Sequence, residues 1–94
     1  MLPPVVDEGE IFPFKFWFND SIQDGISYRS ELYYRLRTVP YKQRARLYHF
    51  ACKMAQRDRV LVTTSSTTCS LWMSLRSPSA RSLQKPPFPF DSPS

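Results

Sequence analysis

The stretch PYKQRARLYHFACKMAQR, residues 40–57, decides the fold. It contains no glycine and no β-branched residue, and the fixed φ of Pro40 suits a first helical turn, with Thr38 or Val39 near the cap. Turned at about 100° per residue, Leu47, Phe50, Ala51 and Met54 form one apolar row, flanked by Tyr41, Ala45, Tyr48, Cys52 and Ala55. Lys42, Arg46, His49, Lys53, Gln56 and Arg57 fill the opposite arc. Arg44 alone falls on the apolar side, near an exposed first turn where a long stem can snorkel. The spacing predicts an amphipathic helix with one face on a core and a cationic face in solvent.

On both sides of this stretch the period changes from 3.6 to two. Phe12, Phe14, Phe16 and Phe18 alternate with Lys15 and Trp17, the pattern of a strand made from β-favouring aromatics. Pro13 removes a ladder donor, so this strand belongs at a sheet edge or begins after it. Residues 19–25, Asn-Asp-Ser-Ile-Gln-Asp-Gly, have turn chemistry. Leu32, Tyr34 and Leu36 then alternate with Tyr33, Arg35 and Arg37. Ser30-Glu31-Leu32 could equally open a short helix, but the alternation continues to Thr38, and Pro40 keeps Val39 out of the helical region. A strand over 28–38 is the better reading.

Beyond the helix, Val60–Thr64 is β-rich, Ser65-Ser66 turns, and Thr67–Arg76 alternates again, with Cys69, Leu71, Met73 and Leu75 on one face and Ser70, Trp72, Ser74 and Arg76 on the other. These predict a hairpin of open turn type, because its connection lacks Gly and Asn. The expectation is an α+β fold: a small, mainly antiparallel sheet of about four strands, in the sequence order β-β-α-β-β, packed on one amphipathic helix. Residues 1–9 read as a flexible acidic lead, 10–76 as a single small domain, and 77–94 as a disordered Pro/Ser-rich tail. Within that tail, Lys85–Phe90 can adopt polyproline II. So small a core is marginal alone, and docking or a homodimer would support it.

The chain has 94 residues and a net charge of +5, and the charge is segregated. Residues 1–24 carry −4, residues 25–60 carry +7 and the remainder +2. The middle third is therefore where an anionic partner would bind. Lys42, Arg46, His49, Lys53 and Arg57, at spacings of 4, 3, 4 and 4, would form one stripe about 22 Å long on a continuous helix. The ordinary reading of such an arc is a solvated face. Against it, no acidic residue lies within the arc to neutralise it at i,i+4, and cations in the first turn oppose the helix dipole. The second candidate is the sheet face away from the helix, where Lys15, Trp17, Tyr33, Arg35, Arg37, Trp72 and Arg76 would interleave rings with cations. Such a face can stack bases over neutralised phosphates or form the centre of a protein interface. The alternative is that Trp17 and Trp72 pack on each other or under a terminal segment.

Catalysis has little support. Two glycines exclude a glycine-rich phosphate loop, and one His with two Cys falls short of a four-ligand zinc site. His49 and Cys52 are three apart but lie on opposite arcs of the helix, and a buried free Cys is ordinarily inert. Asp7, Glu8 and Glu10 sit on the lead, where pKa tuning is difficult. No cofactor is implied. No apolar run reaches the ~20 residues of a membrane span, and no signal peptide is visible, so a cytoplasmic location with reduced thiols is expected. The expected function is that of a non-enzymatic binding or regulatory module. It docks an anionic macromolecule, an acidic protein surface before RNA or DNA, because +5 is modest for non-specific nucleic-acid binding. The contact residues expected are Lys42, Arg46, His49, Lys53, Arg57, Arg35, Arg37, Trp17 and Trp72.

Overall fold

The computed structural model describes residues 2–18 and 20–77; the expectations for residues 78–94 lie outside it. The elements are β1 (Val5–Asp7), a 3-10 turn at Glu8–Glu10, β2 (Phe14–Phe18), β3 (Ser21–Tyr28), β4 (Glu31–Pro40), a 3-10 turn at Tyr41–Gln43, α1 (Arg44–Met54), β5 (Val60–Thr64) and β6 (Thr68–Ser74). Among the described residues the fold is α+β, with a single α-helix on one six-stranded sheet of order β1-β5-β6-β4-β3-β2. Every neighbouring pair is antiparallel except β1 with β5, which is parallel, so the sheet is mixed.

Two strands exceed the four expected. The first, β3, occupies the segment with turn composition. Its polar residues Ser21, Gln23 and Asp24 become a strand because β2 offers them a ladder, while Gly25–Tyr28 pair with β4. Strand propensity is largely a matter of such context. The turns themselves shrink to two residues. One reaches positive φ at Asp20 (64°), and the other, Arg29-Ser30, has φ of 52° and 66°, as tight hairpins of matching twist require.

The second extra strand is β1, in the segment expected to be a flexible lead. Val5, Val6 and Asp7 pair with Val62, Thr63 and Thr64, and Val62 N–H donates to Pro4 C=O at 3.0 Å. The Asp7 carboxylate then accepts from Gly9 N–H at 2.9 Å, capping the 3-10 turn that follows. That turn carries Ile11 into a cluster with Val6, Ile26, Tyr33, Leu61 and Trp72 on the face opposite the helix. The other cluster contains Val39, Leu47, Ala51, Val60, Val62, Cys69, Leu71 and Met73, beneath α1. Val60–Thr63 is consequently buried throughout, as a strand covered on both faces should be.

The β5–β6 connection does without glycine because a hydroxyl stands in for it. Ser65 Oγ accepts from Thr67 N–H (3.2 Å) and Thr68 N–H (3.0 Å), while Ser65 N–H donates to Thr68 C=O (2.8 Å). The helix is shorter than the 40–57 expected. Its first turn is 3-10, and after Met54 the chain turns out through Gln56 and Arg57 to reach β5.

Candidate functional site

The cationic surface begins at Pro40, after which Tyr41 N–H donates to Thr67 C=O at 2.9 Å and ties the helical segment to the β5–β6 turn. Arg44 folds back over Tyr41, with its guanidinium carbon 4.4 Å from the ring centroid and Nη1 donating to the Tyr41 carbonyl at 3.3 Å. From there Leu47 and Ala51 point inward and are fully buried. This orientation turns Arg46, His49 and Lys53 outward on α1, with Lys42 in the preceding 3-10 turn and Arg57 in the turn after the helix. All five side chains are exposed. On α1 itself the stripe therefore spans three residues, about 10 Å at 1.5 Å per residue, and its two ends are carried by turns. No acidic residue and no side-chain cap occupies the first turn of α1.

The opposite sheet face differs from expectation in three ways. Trp72 is fully buried: its indole N–H donates to Thr63 Oγ1 at 2.8 Å, and the N-terminal segment packs beside it. It supplies core, not contact area. Arg35 stacks its guanidinium 4.8 Å from the Trp72 ring and reaches Asp24 at 3.3 Å, so it is half-buried at the rim of that core. Arg37 leaves this face altogether. A β-bulge between Arg35 and Arg37 shifts the register and sets Arg37 opposite Leu71, on the helix side. A period-two count cannot register a bulge, which inserts one unpaired residue. The same shift brings Val39 under the helix and Thr38 opposite Ser70, where the two hydroxyls hydrogen-bond at 2.8 Å.

Trp17 remains on the surface at 69% exposure, opposite Ile22 at 65%. Lys15 lies two pairs further along on the same face and bonds to the Asp24 carboxylate. That bond, aided by Arg35, holds Asp24 below its ordinary pKa despite partial burial. Phe14, Phe16 and Phe18 form a ring ladder on the helix side, with centroids 6.0 and 5.9 Å apart, ending on Tyr34 at 5.2 Å. The helix packs over β4, β5 and β6, so the outer end of this ladder is open, and Phe14 is 39% exposed. Phe12, just ahead of β2, and Ile22, opposite Trp17 on the outer face, are also exposed and were not among the expected contact residues. The edge position of β2, one of the two placements that Pro13 left open, was the signal that could have found them.

The remaining chemistry-bearing groups are tied into the fold. Glu8 accepts from Thr63 Oγ1 at 3.2 Å. Glu31 accepts from the Ser74 hydroxyl and from Arg59 Nη1 at 2.7 Å; burial pushes its pKa up, but these bonds outweigh it and leave it lowered. Burial pushes the Cys69 thiol up, and Cys52 is a half-buried free thiol. Among the described residues there is no group of three or more His, Cys, Asp or Glu placed to hold a metal ion, and no helix long and apolar enough to cross a membrane. No family model, curated protein or solved structure matches the chain.

Proposed function

We propose that the chain is a small non-enzymatic binding module that docks an acidic protein surface through its helical face. The observation that carries this reading is the shared exposure of Lys42, Arg46, His49, Lys53 and Arg57 on the side of the helical segment turned away from the sheet. Their burial would have left only a packed helix. Local stability does not account for the cations at the start of the segment, where the dipole disfavours them. The contact set is thus the stripe itself, with Arg44 beside it, and the mechanism is electrostatic capture. The cytoplasm is the compartment that goes with it, in keeping with two free thiols.

A nucleic acid is the second reading. It is favoured by exposed Trp17 close to Lys15 on an open sheet face, a combination that stacks a base and neutralises a phosphate. Fluorescence anisotropy with a poly-glutamate peptide and a single-stranded RNA of equal charge separates the two. The expected result is tighter binding of the peptide, lost on added salt and in the Lys53→Glu/Arg57→Glu variant. Tighter RNA binding that falls in Trp17→Ala supports the second reading. No binding of either probe at low salt overturns both.

A further inference from the structure

We propose that β2 is a homodimer interface, on which a second copy of this chain adds its own β2 antiparallel to the first and extends the sheet. This inference rests on residues separate from the cationic helix face. Strand β2 is one of the two edge strands of the sheet, and among the described residues its neighbour is β3 alone. Exposed edges in monomeric proteins are ordinarily blunted by charged side chains, above all Lys, by Pro, by bulges or by very short strands. Strand β2 runs five residues in unbroken register with β3, and its one charge, Lys15, is already matched by Asp24. Around it, Phe12, Trp17 and Ile22 are 85%, 69% and 65% exposed.

The register of the partner follows from the hairpin. Phe18 and Ser21 close a two-residue connection, which makes them a hydrogen-bonded pair. By alternation, Phe16 and Phe14 also bond to β3, while Lys15 and Trp17 point their N–H and C=O groups outward. Two copies related by a two-fold axis must join outward residues to outward residues. Centring the axis on Lys15 sets lysine against lysine, an unfavourable like-charge pair, and sets Trp17 against Pro13, which has no N–H to give. Centring it on Phe16 sets Lys15 of each copy against Trp17 of the other, so that both outward residues exchange backbone bonds and each ammonium group meets an indole. The same register places Phe14 against Phe18 and Phe16 against Phe16. It continues the Phe14–Phe16–Phe18–Tyr34 ring ladder across the axis and covers its open end. In this register the strand is self-complementary in hydrogen bonds, charge and shape, as a two-fold interface requires.

The test uses the full chain with Cys52→Ser as background. Sedimentation velocity over a concentration series should show a monomer–dimer equilibrium that Trp17→Lys abolishes by setting lysine against Lys15 of the other copy, with the far-UV spectrum and thermal transition of the monomer retained. In the Phe16-centred register the two Phe16 Cα atoms form a non-hydrogen-bonded pair within disulfide reach. Phe16→Cys should therefore cross-link to itself under mild oxidation at least roughly tenfold faster than Trp17→Cys, whose counterpart is Lys15. A protein that is monomeric at every concentration overturns the proposal. So does a dimer that persists in Trp17→Lys, or one in which Trp17→Cys cross-links faster than Phe16→Cys. Lys53→Glu/Arg57→Glu leaves the dimer intact, so this interface and the helix-face reading fail separately.

Discussion

The Trp72 indole N–H donates to the Thr63 hydroxyl across 2.8 Å, and both side chains are fully buried. Thr63 in turn donates to Glu8 at 3.2 Å, so the hydroxyl links the core to the N-terminal turn. A buried donor deprived of its acceptor costs about 1–3 kcal/mol, more than the bond contributes when it is made. Thr63→Val should therefore lower the melting temperature markedly, at about 4–8 °C per kcal/mol for a domain of this size. Trp72→Phe in the Thr63→Val background should cost less than in the wild type, because the orphaned donor is gone. Thermal unfolding of the four proteins of this cycle measures the coupling, and strict additivity would mean that the bond contributes nothing.

Gly25 makes room for the aromatic ladder. A Cβ built on it would meet the Phe16 ring at 2.8 and 2.9 Å and the Phe14 ring at 3.0 Å. Replacing a strand glycine by alanine gains about 0.5–1 kcal/mol of backbone entropy, whereas forcing packed groups apart costs about 1–3 kcal/mol. The clash should win, but by a small margin, because the outer ring can swing into solvent. Gly25→Ala is expected to be destabilised by roughly 1 kcal/mol on this balance, and Gly25→Val by more. Urea unfolding gives the sign, and ring proton shifts of Phe14 and Phe16 locate the cause.

How far the sequence announced this arrangement depends on where the deciding interaction lies. The α+β class, the helix and the β5–β6 hairpin follow from local periodicity, and the start of β2 after Pro13 is one of the two placements that residue allows. Strands β1 and β3 do not. Val5–Asp7 is too short to show a period and exists because β5 offers it an edge. Ser21–Tyr28 is polar at its start and extends because its first half pairs with β2 and its second half with β4. The outer sheet face was misread for related reasons. The bulge after Arg35 reverses the facing of Arg37, and the burial of Trp72 depends on a terminal segment arriving from far along the chain. The five-residue stripe was legible because the inward facing of Leu47 and Ala51 fixes what α1 turns outward, even where turns replace the ends of the expected helix.

Acid should act on this fold through Glu31 before Asp24. Burial raises the Glu31 pKa, but bonds from Ser74 and Arg59 leave it below its ordinary 4.5. A carboxyl with a depressed folded pKa stabilises fully above its unfolded value, and that contribution is lost as pH falls through the folded value. Asp24 has the same sign, starting from 3.8, but its bond is to a Lys15 side chain that is 72% exposed, so solvent screens it. The urea midpoint should hold steady from neutral pH down to about 4.5 and then fall. Glu31→Gln should flatten that fall and Asp24→Asn should scarcely change it. An unaltered acid limb in Glu31→Gln would place the titrating group elsewhere.

Lys42 separates stability from binding. It stands at the start of the helical segment, exposed, in a first turn with no acidic residue, and neither that turn nor α1 has a side-chain cap. An anion there should favour the helix by about 0.3–1 kcal/mol where a cation opposes it. Lys42→Glu is accordingly expected to raise the unfolding midpoint while weakening capture of an acidic peptide, and the anisotropy loss should shrink as salt screens the contact. Opposite signs in the two measurements are what a residue kept for its partner must show. A stabilised variant with undiminished affinity would remove Lys42 from the contact set. A destabilised one would mean that the lysine serves the fold, and the stripe would then begin at Arg46.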